Sequence, residues 1–468
     1  MEAGTSILPT FHPSTDSAKL FLKHAHSNTR IPYMNILMLA IDTLRADHLS
    51  CYGYRYPTSP TVDQLAQEGI LFEKLICPVL PTEPSFTTLY TGQHPITHGI
   101  VSHGGSATLD RKIPLLPELL LNAGYTTCAV DNLASNKAWF ARGYEFYIDP
   151  SMKRAMRLMV TAEEINHRAI SWLKAYGNEK FFLFLHYWDP HTPYLPPPNY
   201  RELFYHGNRS DPANKSLEPL WRHVLGDVWK DTWFKWLGGP ITDADYVRAL
   251  YDQSIRYLDD QIKVLLGALN EIGVADDTLI VLLGDHGESM TEHGIMFEHH
   301  GLYEPTLHVP LILHYPQRLK GGRRIPQAIQ HSDLAPTILD LAGIQKPESM
   351  EGKSFTSVLE GESQPQLHEK VISAESTWQV KWCLRTEHYK FILAREPDWY
   401  GTPMRELYDL QADAGELNNL IDSERGVAAE MEAELEGWIA DRLKAAGRTI
   451  DPLIEQGVSL GKRWKNRQ

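Results

Sequence analysis

Two apolar runs of the sequence, residues 35–42 and 278–285, each close on a carboxylate, Asp42 and Asp285, and His286 follows the second directly. A third run, residues 181–186, ends in His186, with Asp189 and His191 just beyond it. Carboxylates and imidazoles at strand ends suit a divalent metal, because ligands of open α/β sheets sit outside the carboxyl ends of the strands. Placed otherwise, the same residues would only cap helices or turns. A hydroxyl supplies a second ingredient. Thr82 lies in Pro81-Thr82-Glu83-Pro84-Ser85, and a proline at 84 suits the first turn of a helix. A threonine just before a helix is ordinarily a cap. Beside a metal, and in the positive field of a helix N-terminus, its oxygen would instead be an alkoxide nucleophile.

These positions need elements to hold them. Near-continuous apolar runs at 35–42, 125–130, 181–186 and 278–285 read as strands buried on both faces. Helical stretches at 114–122, 162–176 and 243–273 lie between them. The alternation predicts an α/β fold, a large mostly parallel sheet flanked by helices. After about residue 365 come short strands at 371–374, 379–385 and 390–393 and an amphipathic helix at 426–446, which predict a smaller C-terminal α+β subdomain. The expected organisation is an N-terminal arm at 1–34, a catalytic domain at 35–365, and a C-terminal subdomain with tail at 366–468. Residues 195–240 stand apart, with Pro196 to Pro198 and the tryptophans Trp221, Trp229, Trp233 and Trp236. They read either as a lid or substrate wall over the strand ends, or as an aromatic packing patch.

Bulk properties narrow the class. A chain of 468 residues can bury a large core and a second, smaller unit. Its net charge of −14 repels a phosphate backbone, so nucleic acid is not the expected partner, although a bound metal would reverse the field inside a pocket. Cys51, Cys77, Cys128 and Cys383 have neither metal-ligand nor disulfide-framework spacing and are expected as reduced thiols. No apolar run reaches the length of a membrane span, and the N-terminus has no apolar signal region. A cytoplasmic location and a small-molecule substrate are the expectations. The arm (with His12, His24 and His26) and the tail bearing Lys462, Arg463, Lys465 and Arg467 are the segments available for contacts in a homo-oligomer, although the tail reads first as a solvated end.

Several ordered segments resemble the sulfatase family of the alkaline phosphatase superfamily. The opening strand and loop, Asn35 to Tyr54, is similar to that family's first segment, with Asp42 at a metal-ligand position. Leu89-Tyr90-Thr91-Gly92-Gln93-His94-Pro95 resembles the stretch after the family nucleophile. Gly284-Asp285-His286-Gly287-Glu288, Glu292-His293-Gly294, Tyr303-Glu304 and Val309-Pro310 follow in family order. Asp333 to Gly343 and Glu406-Leu407-Tyr408-Asp409-Leu410 with Asn419-Leu420 complete the likeness, which covers residues 35 to about 420.

The departures carry the functional information. Sulfatases have Cys-x-Pro-x-Arg, whose cysteine becomes formylglycine; here the register reads Thr82, Pro84 and Phe86. No formylglycine is expected. Threonine in this slot resembles members that cleave phosphodiesters or phosphonate monoesters. Phe86 stands at the substrate-facing arginine position, His299 at a family lysine, and His103 at an asparagine of some relatives. A threonyl ester has no aldehyde exit, so water must attack its central atom, a route ordinary for phosphoryl groups. Loss of two cations also suits a singly charged group. The resemblance thus implies a metal-dependent hydrolase of phosphodiester or phosphonate monoester bonds. Asp42, Asp285, His286 and Thr82 would bind the metal, and Thr82 would attack. His191 or His186 would protonate the leaving oxygen, and His103, His299 and position 86 would face the substrate. An imidazole among the ligands favours Mn²⁺ or Zn²⁺ over Ca²⁺ or Mg²⁺. The extra histidines leave room for a second metal, for which Asp189 is the one carboxylate at hand. The alternatives are a sulfuric ester hydrolase without formylglycine, a non-catalytic binding protein, and a phosphoryl transferase.

Overall fold

The computed structural model describes residues 33–152, 157–222, 226–361, 366–398 and 401–459. The arm up to residue 32 and the basic end of the tail lie outside the described residues. The chain lays down β1 (Asn35–Ile41), β2 (Ile70–Ile76), β3 (Val79–Leu80), β4 (Thr126–Val130) and β5 (Phe146–Ile148). Next come β6 (Phe181–Tyr187), β7 (Thr278–Gly284), β8 (Ser289–Met290), β9 (Met296–Glu298), β10 (His308–His314) and β11 (Arg323–Gln330). The last strands are β12 (Val371–Glu375), β13 (Lys381–Arg385), β14 (Tyr389–Ala394) and β15 (Arg405–Asp409).

Eight of these strands form one sheet in the order β11-β2-β10-β7-β1-β6-β4-β5. Neighbours run parallel except where β10 lies between β2 and β7. The runs that read as strands, β1, β4, β6 and β7, lie side by side in the middle and far half of the sheet, and β1, β6 and β7 are buried along their whole length. β2 and β10 were not legible as strands. Glu73 and Lys74 interrupt the first, and Pro310 interrupts the second. Pro310 falls where the register between β10 and β2 shifts, a bulge at which a missing N–H breaks no ladder bond.

The helices Ala162–Tyr176 and Ala244–Ile272 match the expected ones to within a residue at each end. The first starts on a capping box, Thr161 with Glu164, and the second ends at Gly273 in the left-handed region, φ 78°. They pack on one another, and Asn166 Nδ2 donates to Gln261 O at 2.7 Å.

A second sheet has the order β15-β14-β13-β12-β3. Four of its strands are the C-terminal ones, and the helix Arg425–Ala445 covers them through Ala428, Met431, Leu435 and Ile439. The fifth, β3, comes from the segment just before Thr82 and pairs in parallel with β12, Val79 to Ala374 and Leu80 to Glu375. Buried charges fasten this sheet to the large one. Lys390 Nζ lies 2.8 Å from Glu304 Oε1 and 2.6 Å from Glu416 Oε1, and Arg385 Nε donates to Glu304 Oε1 at 2.8 Å. Tyr303 and Tyr408 both donate to Glu406 Oε2, at 2.7 and 2.8 Å, and Lys381 lies 3.0 Å from Glu406 Oε1. Tyr303-Glu304 and Glu406-Leu407-Tyr408, singled out as motifs, are thus the two halves of one interface.

Because Lys390 is fully buried, removing its ammonium leaves the buried Glu416 carboxylate without its cation and Glu304 with Arg385 alone. Lys390→Met is expected to cost about 3–5 kcal/mol in urea unfolding. A loss below about 1 kcal/mol would mean that the pair behaves as an exposed one.

Candidate active site

Strand register assembles the site. Ile41 of β1 pairs with Gly284 of β7, so the next residues, Asp42 and Asp285, emerge side by side. Ala40 pairs with His186 of β6, and Val130 of β4 pairs with Leu185, which brings Asp131 beside His186. One carboxyl edge of the sheet therefore carries Asp285, Asp42, His186 and Asp131 in a row. Thr43, after Asp42, holds φ 57°, an uncommon value for a β-branched residue. In that conformation its N–H donates to Asp285 Oδ1 at 3.1 Å, joined by the N–H of His286 at 2.7 Å.

The other oxygen of Asp285, Oδ2, is buried with no partner, as is Asp42 Oδ1. His286 Nδ1–H donates to Gly287 O at 3.0 Å, which leaves Nε2 as a bare acceptor. That nitrogen stands 3.4 Å from Asp285 Oδ2 and 3.6 Å from Asp42 Oδ1. Burial drives the His286 imidazole down to about 4, so it stays neutral at physiological pH. Burial also opposes charge on Asp42, but His191, the hydrogen bond with His186 and the charge of His286 outweigh it and bring Asp42 to about 2. Asp285 is pushed well above the usual carboxylate range, first by burial and then by Asp42. Two bare carboxylate oxygens and one bare imidazole nitrogen, all within 4.8 Å of one another, fit a divalent cation. Among the described residues no second trio of His, Cys, Asp or Glu is brought together this way.

Thr82 is the first residue of the helix Thr82–Thr91, with Pro81 before it, and its side chain caps nothing. Its Oγ1 lies 3.1 Å from His286 Nε2 and 3.4 Å from Asp42 Oδ2. Two buried side chains fasten that helix to the end of β7. Ser85 Oγ donates to Asp285 O at 2.7 Å, and His331, 3.2 Å from Ser85 Oγ through Nδ1, lies 3.0 Å from Gly284 O through Nε2.

The other predicted residues divide. His191 and His299 face each other with ring centroids 5.2 Å apart, and His299 stands 5.1 Å from His286. His103 Nε2 lies 3.9 Å from Glu83 Oε1, with its ring partly open, and its backbone N–H is held by Thr377 in the loop between β12 and β13. These three rim the metal trio. His186 does not fit the role of leaving-group acid. It has no exposed surface, and its ring is spent between Asp131 Oδ1 at 2.8 Å and Asp42 Oδ2 at 3.3 Å. Phe86 does not face a substrate either, being fully buried with its ring 4.7 Å from that of His186. Asp189 turns away from the trio, and its Oδ2 accepts the N–H of Ala162 at 2.8 Å at the start of a helix. Of the tryptophans, Trp233 packs in the core against Tyr194 and Phe297, whereas Trp236 is exposed. At Trp233 the stretch packs as part of the core.

Sequence reading missed Asp131, Glu83, His331 and the buried Glu298–His300–Glu375 cluster. Asp131 directly follows an apolar run, so the strand-end argument applied to 42 and 285 would have found it. His300 Nε2 lies 2.8 Å from Glu298 Oε2, and Nδ1 lies 3.2 Å from Glu375 Oε1. Burial opposes its charge, but the two glutamates raise it.

Residues 34–344 match the family model described as Sulfatase. The chain belongs to the sulfatase family. Residues 291–441 further match the model for the C-terminal part of N-sulphoglucosamine sulphohydrolase, which overlaps the second sheet and its helix. An N-acetylglucosamine-6-O-sulfatase of Bacteroides thetaiotaomicron is 26% identical, over 83% of this chain and 82% of that protein. An arylsulfatase of Clostridium perfringens is 25% identical, over 83% and 90%. The phosphonate monoester hydrolase of Agrobacterium radiobacter superposes with a TM-score of 0.71 at 21% identity, covering 88% of this chain and 96% of that one, and so shares its fold. The trio offers the donor set that a divalent cation takes.

Asp189 yields a pH test outside the metal trio. Burial raises its carboxyl to about 7, above the unfolded value near 3.9. The folded state therefore keeps a proton that the unfolded chain loses. The stability this contributes is complete below about pH 4 and disappears as pH rises through about 7. Asp189→Asn is expected to flatten that part of the melting-temperature profile between pH 4 and 8. An unchanged slope would show that the carboxyl titrates normally.

Proposed function

We propose that this sulfatase-family chain is a metal-dependent hydrolase of an anionic ester of a small molecule, with Thr82 Oγ1 as its nucleophile. One observation carries the proposal: Thr82 Oγ1 lies 3.1 Å from His286 Nε2, at the point where the unpaired oxygens of Asp42 and Asp285 converge. Asp42, Asp285 and His286 would hold the ion, and an imidazole ligand beside two carboxylates favours Mn²⁺ or Zn²⁺. When bound, the ion would polarise a non-bridging ester oxygen and lower the pKa of the Thr82 hydroxyl. Thr82 is pre-aimed, because Ser85 and His331 lock its helix to the end of β7. His191, partly open and beside His299, is the group in reach of a leaving oxygen, now that His186 is closed off. His103 and His299 would donate to the remaining oxygens. Water attack on the central atom would then free Thr82.

Sulfuric esters are the substrate class that the relatives favour, since the two curated relatives described above are sulfatases by name. That reading stands ahead of phosphodiester or phosphonate monoester cleavage. The second reading is retained on one observation: the hydroxyl at 82 has no aldehyde exit, and the side chain at 86 offers no cation to a doubly charged group.

Rates on an aryl sulfate, an aryl phosphate monoester, a bis-aryl phosphate and an aryl phosphonate, with Mn²⁺ or Zn²⁺ supplied, separate the two. A preferred aryl sulfate supports the first reading; faster diester or phosphonate cleavage selects the second. Thr82→Ala is expected to lower the preferred rate by about 10⁴-fold or more with the fold intact. Full turnover in that variant removes the nucleophile assignment.

A further inference from the structure

Asp131 sits behind the site on the same sheet edge, and no role in the chemistry proposed so far falls to it. Its Oδ1 lies 2.8 Å from His186 Nδ1. Its Oδ2 accepts from the Leu133 N–H at 3.0 Å and from the Tyr147 hydroxyl. The Tyr147 oxygen in turn accepts the Ala134 N–H at 2.9 Å. Asp131 is thereby fixed from three sides. The other face of His186 presents Nε2 to Asp42 Oδ2 at 3.3 Å. Carboxylates accept hydrogen bonds and do not donate them, so an imidazole held between two of them donates from both nitrogens. Phe86 and Trp188 close the ring from water, with centroids 4.7 and 4.5 Å away.

This chain has a consequence for Asp42. With Oδ2 engaged by His186, Oδ1 is the oxygen left bare toward His286 and Asp285. Without the anchor the Asp42 carboxyl could turn about its last torsion. Phe86 belongs to the same arrangement. Its apolar ring packs on His186 and screens the His186–Asp42 contact from water.

We propose that Asp131 and His186 form a buried positioning pair that fixes the orientation of Asp42 for metal binding. The proposal rests on reading Asp42, Asp285 and His286 as the metal site. Removing Asp131 takes away both the anchor and a negative charge near the ion, and the two effects act in the same direction, towards weaker binding.

The test is calorimetric titration of Mn²⁺ into the metal-stripped full chain, with melting of each metal-free protein as the folding control. Asp42→Ala is expected to abolish uptake. Asp131→Asn is expected to bind about 10–100-fold more weakly. Tyr147→Phe, which removes only one donor to Asp131, is expected to weaken binding by a smaller factor and keeps the test open if Asp131→Asn does not fold. Binding within twofold of wild type in Asp131→Asn, or in Tyr147→Phe where Asp131→Asn fails to fold, overturns the positioning pair and leaves the metal site standing. No uptake by the wild type, or equal uptake by Asp42→Ala, overturns the metal site and the pair together.

Discussion

Two carboxylates, Asp42 and Asp285, are buried side by side, each with one oxygen bare. Like charges at such close range in an apolar setting repel strongly, and a cation is the natural remedy. Much of the surrounding structure serves that constraint. Thr43 adopts an unusual backbone angle to bring an N–H to Asp285, and His186 stands against Asp42. His286 stays neutral and turns Nε2 inward. Thr82 begins its helix at the same point, so the hydroxyl and the bare oxygens share one small volume.

The second sheet braces that volume from the opposite side. β3 passes from it directly into the helix of Thr82, so any shift of β12 would move Thr82. Thr377 holds the backbone of His103, and Glu375 reaches both His300 and the Gly301 N–H. The ion pairs of Glu304 with Arg385 and Lys390 keep the two sheets in register. The C-terminal portion is therefore structural support for the site, which accounts for motifs far from any chemistry.

The rim of the site is rich in imidazole and poor in permanent cations. His103, His191 and His299 supply it. Imidazoles donate hydrogen bonds while carrying less fixed charge, which suits a rim whose strongest positive field would come from the ion itself.

Local pattern along the chain was enough for several parts of the fold and site. Runs apolar on both faces announced β1, β4, β6 and β7, and polar residues at their ends announced Asp42, Asp285 and His286. Periodicity announced the helices Ala162–Tyr176 and Ala244–Ile272. Ordered motifs announced the family. β2 and β10 escaped because charges or a proline interrupt their runs. The roles of His186, Phe86 and Asp189 were decided only by tertiary structure, since strand-end position does not say which way a side chain faces or whether water reaches it. Register between β4 and β6 closed His186 against Asp131, and the start of a helix claimed Asp189. The pairing of β3 with β12, between residues almost three hundred positions apart, was likewise set by packing that leaves no local signal in the chain.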